Sequence, residues 1–227
     1  MDIQCIFDYL KELQENNNRD WYHGHKNEQL YVNEQFEHLL RELILEIGKF
    51  DKSILHNEPK NITFKLVRDI RYSHDKSPYN ATFRAHIAPA GKLPIPVGYF
   101  ISIKPNNKSF LGGGLFAPMF RDATSMIRDY ISKNGKEFDQ IIKDMEFAGN
   151  FEIKGESLKN VPSGYDKNHP QAEYLKFKSW FIEDFINDDK FLNADNFIQL
   201  ATERFKLMKP FNDYLNIALQ SFTMPTR

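Results

Sequence analysis

The sequence predicts an α+β protein, a single domain over residues 1–227, with a mainly antiparallel central sheet at about residues 62–117 packed by N-terminal and C-terminal helices. Three observations predict it. Apolar residues recur at helical spacing at both ends of the chain. Between Thr63 and Phe116 the apolar period changes to two. The connections between those alternating stretches are short, which suits antiparallel neighbours and not parallel crossovers.

The first helix covers residues 2–14, where Ile3, Ile6, Phe7, Leu10 and Leu13 form a stripe behind an Asp2 cap. Asn16, Asn17 and Asn18 make a turn, because asparagine tolerates left-handed backbone and bonds its own main chain. Asp20 is placed to cap a second helix that runs to about Gly48 through Val32, Phe36, Leu39, Leu40, Leu43 and Ile47. From Thr63 to Ser73 the alternation reads as one strand, with Phe64, Leu66, Arg68, Ile70 and Tyr72 on one face. Arg68 then lies among apolar neighbours. A buried guanidinium requires a carboxylate, carbonyls or a bound anion.

Residues 82–88 and 97–104 read as further strands, and Pro105-Asn106-Asn107-Lys108 as a hairpin turn. Residues 109–116 return as a strand interrupted by Gly112, Gly113 and Gly114. Two helices follow, one on Ala123, Met126, Ile127, Tyr130 and Ile131, one on Phe138, Ile141, Ile142 and Met145. Residues 151–154 suggest a short strand, 158–170 a loop, and Pro170 the first residue of another helix. Residues 180–186 fit strand or helix. From about Ala194 the chain is helical, with an interruption expected near Pro210.

Composition bounds the function. A chain of 227 residues buries roughly 70% of its unfolded surface. Thirty basic residues against thirty-one acidic ones give no global pull toward nucleic acid or an acidic membrane. A lone Cys5 excludes an internal disulfide and a cysteine-based zinc site, and its place near an apolar helix face suggests a buried structural thiol. The acidic, amphipathic start of the chain does not read as a signal peptide, and no apolar run approaches a membrane span of ~18 residues. A cytoplasmic location is the resulting expectation.

The densest chemistry lies between Arg68 and Arg84. Arg68, Arg71, Lys76 and Arg84 are candidates to hold a phosphate or carboxylate, with Tyr79 beside them. The opposing interpretation is an ion-pair network in which Asp69 and Asp75 neutralise the arginines. Gly112, Gly113 and Gly114 are candidates to bring backbone N–H groups to an anion. They match neither a phosphate-binding loop nor a dinucleotide fingerprint, and glycine in a strand more often marks a close approach. His23 and His25 point apart on a helix, so no metal site is expected. Asp75 and His169 are the acid–base candidates, with helix capping the competing role for His169.

Several separated motifs also resemble, in order, the uncharacterised family catalogued as domain of unknown function 2461. They are Asn17-Asn18-Arg19-Asp20-Trp21 with His25-Lys26, Arg68-Asp69-Ile70-Arg71-Tyr72-Ser73, Asp75-Lys76-Ser77-Pro78-Tyr79 and Gly98-Tyr99-Phe100. Gly112-Gly113-Gly114, Val161-Pro162-Ser163-Gly164-Tyr165-Asp166 and His169-Pro170, with Lys176 and Lys178, complete the series. Asn80 and Tyr165 depart from the pattern, which typically has lysine and phenylalanine there. The resemblance brings no established activity, so no catalytic residue and no cofactor is carried over from it. It ties the Arg68–Tyr79, triple-glycine and His169 segments into one pattern, a candidate common site. Two functions follow as expectations: binding of, or catalysis on, a small anionic ligand, or a protein-interaction domain clamped by ion pairs.

Overall fold

The computed structural model describes residues 1–116 and 120–225; residue 117, the expected far boundary of the sheet, lies outside them. The helices are α1 (Ile3–Glu15), α2 (Arg19–Gly24), α3 (Lys26–Gly48), α4 (Pro59–Ile62), α5 (Arg121–Lys133), α6 (Gly135–Ile142), α7 (Met145–Asn150), α8 (Ala172–Leu175), α9 (Asp188–Leu192) and α10 (Ala194–Ala218). The strands are β1 (Phe83–Ile87), β2 (Tyr99–Ile103), β3 (Ser109–Leu115) and β4 (Trp180–Ile186). They form one antiparallel sheet in the order β1-β2-β3-β4, so the fold is α+β. Among the described residues, no helix is long and apolar enough to cross a membrane.

Alternation along the strands sorts side chains onto two faces. The inner face carries Phe83, Ala85, Ile87, Tyr99, Ile101, Leu111, Trp180 and Ile182, all essentially inaccessible to solvent. Helix α10 lies across it, and α3 packs beside α10. Phe205 of α10 meets Tyr99 at 5.3 Å, and Phe36 of α3 meets Phe83 at 5.1 Å between ring centroids. The most intimate contact is polar. Buried Asn212 of α10 accepts the Gly114 N–H at 2.8 Å and donates to the Gly98 carbonyl at 3.0 Å, so one side chain clasps β3 to the start of β2.

The hairpin expected at Pro105–Lys108 joins β2 and β3, with left-handed backbone at Asn106 and Asn107. Asp188 accepts both of their N–H groups at 2.9 Å and fixes the turn to the end of β4. Both sheet edges are covered. Thr63 bridges Ala85 outside β1, and Lys154 bridges Phe181 outside β4.

Several expected boundaries differ for identifiable reasons. The strand expected over 63–73 pairs only through Thr63 and Val67. Beyond Arg68 the chain turns, because Asp69 and Asp75 bond nearby backbone N–H groups and not a ladder. The long second helix breaks at His25, and Asn18, not Asp20, caps its first part by accepting the Trp21 N–H. Pro170 precedes α8 and is not its first residue, and residues 151–154 reduce to the single bridge at Lys154. Pro210 lies inside α10 without ending it. Phe205, Met208, Phe211 and Leu215 are fully buried around it, and that packing outweighs the ~3 kcal/mol proline penalty.

Candidate functional site

The chain from Thr63 to Arg68 runs back along residues 78–85 as a narrow ribbon. The Phe64 N–H donates to the Arg84 carbonyl at 2.9 Å, and the Arg68 N–H to the Pro78 carbonyl at 2.9 Å. The base of its tip is pinned to the α1–α2 turn. Asn17 accepts the Tyr79 N–H at 3.1 Å and donates to its carbonyl at 3.0 Å, while Tyr22 stacks on the Tyr79 ring at 3.8 Å. The shared motifs Asn17 and Tyr79 therefore meet as a structural joint.

Within the tip most charge is matched locally. Arg68 pairs with Asp75 and also donates to Ser73 Oγ at 3.3 Å. Hydrogen bonds from Ser77 and Arg68 hold the Asp75 carboxyl well below the usual carboxylate range, which makes it a poor base at neutral pH. Arg71 forks onto Asp69 at 2.9 and 2.6 Å, and Lys76 donates to the Ile70 carbonyl at 3.1 Å. Both partners of the Arg71–Asp69 pair are largely exposed, so the pair fixes loop shape more than it adds stability.

Arg84 differs. It sits in β1, half-buried, and no carboxylate or carbonyl of the described residues pairs with its guanidinium. Its Nε is buried without a partner among the described residues, and its Cζ lies 5.5 Å from the Phe64 ring centroid. Burial lowers its pKa, although a guanidinium stays charged.

The glycine triplet serves packing. A side chain on Gly112 would collide with the Phe116 ring, and one on Gly113 would stand 2.9 Å from Asn212 Oδ1. Gly114 has φ +89° and lends its N–H to Asn212. His169 accepts the Gln171 N–H on Nδ1 at 3.0 Å, which makes Nε2 the donor to the Ser132 carbonyl at 3.1 Å. Neither ring nitrogen is left over for proton transfer.

What the sequence reading missed is the outer face of the sheet. Strand register places Arg84, Ser102, Phe110 and Phe185 in one row, and His86, Phe100, Gly112 and Glu183 in the next. Phe64, Phe100, Phe110, Phe116, Phe181 and Phe185 form a continuous aromatic strip with neighbouring centroids 4.7–6.5 Å apart. Phe185 is 55% exposed. Arg84 lies at one end of the strip, and Lys154 stands 5.6 Å over Phe185 at the other. A cleft of about 610 Å³ lies between α3 and the ribbon, and Arg84 is not part of its lining. Phe64 is in its wall, and its charged lining is Arg41, Lys60, Lys65 and Lys92 against Glu34 and Glu37. The signal was legible: phenylalanine fills positions 100, 110, 181 and 185, where a one-sided sheet would place polar residues.

His86 gives this face a pH signature. Burial pushes its pKa down to about 4. Between ~6.5 and about 4 the unfolded chain binds a proton at this site that the folded protein refuses. Stability should therefore fall as pH drops through that window, by roughly 3 kcal/mol at ~1.4 kcal/mol per pKa unit, and level off below it. Urea midpoints at pH 7 and pH 4 should converge in His86→Phe relative to wild type. An unchanged acid slope would mean that other groups set it.

A family model described as "Conserved hypothetical protein (DUF2461)" matches residues 5–214. No curated protein and no solved structure matches the chain.

Proposed function

The chain belongs to this family of conserved hypothetical proteins, whose description carries no activity, and from its side chains we propose that it binds a small anionic ligand, such as a phosphorylated one, at the Arg84 end of the outer sheet face. The observation that carries the proposal is the half-buried Arg84 guanidinium with no protein partner among the described residues. A buried N–H without an acceptor costs about 1–3 kcal/mol, and a phosphate or carboxylate would supply the missing acceptors in a fork geometry. Phe64, Phe100 and Phe110 offer a flat apolar surface for the body of such a ligand, and the lysines of the neighbouring cleft add favourable potential. Arg68, Arg71 and Lys76 brace the loop in this proposal, because each already has a partner. No catalytic step is assigned to Asp75 or His169.

The test is a thermal-shift and calorimetric screen with inorganic phosphate, nucleoside monophosphates and aromatic carboxylates on wild type, Arg84→Met and Arg71→Ala. A ligand at ~100 times its Kd stabilises by ~2.7 kcal/mol, which moves Tm by roughly 5–10 °C in a chain of this size. Wild type and Arg71→Ala should both show the shift, and Arg84→Met should lose it. Without ligand, Arg84→Met should be as stable as wild type or more stable by about 1 kcal/mol, since it removes an uncompensated charge. If no anion shifts wild type and Arg84→Met lowers Tm by itself, Arg84 is structural. The search then moves to the ion-paired loop, whose Tyr72 is 95% exposed, as a contact for a protein partner.

A further inference from the structure

Away from that face, the corner where α1, α2 and α3 meet gathers metal-ligating groups that the sequence disperses. Glu12 comes from the last turn of α1, His25 from the junction of α2 and α3, and Glu28 from the first turn of α3. One ligand atom from each lies within 4.8 Å of the others. His25 Nδ1 contacts the Trp21 carbonyl at 2.8 Å, and its ring stacks on the Trp21 indole at 4.1 Å. A carbonyl only accepts, so Nδ1 carries the proton and Nε2 keeps its lone pair. A carbonyl or carboxylate on the far nitrogen is the usual way a ligating imidazole is oriented.

An acid in the first turn of a helix is favoured by the helix dipole, which accounts for Glu28 alone. It does not account for Glu12, nor for the absence of any lysine or arginine paired with either carboxylate among the described residues. It also leaves Tyr9 unexplained. Tyr9 is 4% exposed, and its hydroxyl is buried without a hydrogen-bond partner among the described residues. It walls the same cavity of about 470 Å³ as Glu12 and Glu28, and its ring lies 5.6 Å from Trp21. Burial above all, then the neighbouring Tyr22 and Glu28, keeps the hydroxyl protonated and therefore a donor. This buried donor shares a cavity with two solvent-exposed carboxylates and has no acceptor among the described residues.

The geometry points to a divalent transition-metal site formed by Glu12, His25 Nε2 and Glu28, with water completing the coordination and giving the Tyr9 hydroxyl its acceptor. One imidazole with two carboxylates suits zinc, cobalt or manganese better than magnesium or calcium, which prefer all-oxygen shells. Ligand bonds of about 2.0–2.2 Å place donors of a tetrahedral ion roughly 3.4 Å apart. The two glutamates are exposed and can rotate to close that gap. The ion would tie the end of α1 to the start of α3, beside the Asn17–Tyr79 joint.

Trp21 provides the readout, since it touches His25, and the other tryptophan, Trp180, is fully buried. The full chain, stripped with a chelator, is titrated with Co²⁺ while tryptophan emission is followed. Saturable quenching with one equivalent, reversed by Zn²⁺ and not by Mg²⁺, is expected. In the double variant Glu12→Gln/Glu28→Gln the Trp21–His25 stack persists, and Co²⁺ affinity should fall at least 30-fold, within the range expected for a disrupted site. Its Tm in chelator should stay within about 2 °C of wild type, as for surface substitutions. Equal quenching in wild type and the double variant, or none at millimolar Co²⁺, would overturn the site. If the double variant fails to fold, His25→Gln and Glu12→Gln are read singly by calorimetry, and unchanged Zn²⁺ binding in both has the same meaning.

Discussion

Gly114→Ala should lower the stability of the protein by about 2–5 kcal/mol, among the largest losses a single methyl group can cause. Two costs combine. The φ of +89° is one that a side chain rarely adopts, worth about 1–2 kcal/mol. The new Cβ would also press into the Trp180 carbonyl oxygen and stand 2.8 Å from the Phe211 ring. The first is backbone of the paired strand and the second a fully buried ring of α10, so neither yields freely. Overpacking of this kind adds about 1–3 kcal/mol. At 2–4 °C per kcal/mol, Tm should drop by roughly 10 °C. Gly149→Ala is the control. It has open space around its Cβ position and lies in α7, so it should hold or raise Tm, by at most ~1 kcal/mol. A Gly114→Ala protein with wild-type Tm would mean that β3 can shift away from β4 at no cost.

Asn212→Leu should cost about 2–4 kcal/mol although the shape is nearly conserved and the position is 97% buried, at 3% exposure. Leucine is the more apolar residue, so burial alone favours it. The loss comes from what it abandons. The Gly114 N–H and the Gly98 carbonyl would both be left in the interior without a partner, and each orphan costs about 1–3 kcal/mol. Asn212→Asp separates the two bonds, because the carboxylate still accepts from Gly114 and cannot donate to Gly98. Urea unfolding should rank wild type above both variants with similar m-values. A Leu variant as stable as wild type would show that water reaches both groups.

The fold class was legible because the two periods are cleanly separated along the chain. Ala85, Ile101 and Leu111 alternate with less buried neighbours, and the α3 stripe from Val32 to Ile47 repeats at 3.6 residues. Strand β4 was ambiguous for a physical reason. Phe181 and Phe185 are apolar on the face opposite Trp180 and Ile182, so alternation is lost exactly where the sheet is apolar on both sides. The candidate site was harder. Charge density drew attention to Arg68–Lys76, yet density also favours local neutralisation, and Asp69 and Asp75 provide it. Arg84 stood out only when the strand register showed which residues share its face. His25 and Glu28 sit together at the start of α3, but Glu12 comes from α1 with no spacing rule linking it to them, so sequence inspection had no means to group all three.

The position of α10 in the chain has a further consequence. All four strands precede it, yet it supplies Phe205, Phe211 and Asn212 to the inner face. During synthesis the apolar side of the completed sheet must wait for the residues between β4 and the end of α10, a few seconds at ribosomal rates of ~5–20 residues per second. Over that interval the nascent chain presents Tyr99, Ile101, Leu111 and Trp180 uncovered, a surface that chaperones bind and that neighbouring nascent chains can seize. A pause in translation across α10 would lengthen that exposure, and a chain released before α10 would carry a sheet with no helix across its inner face.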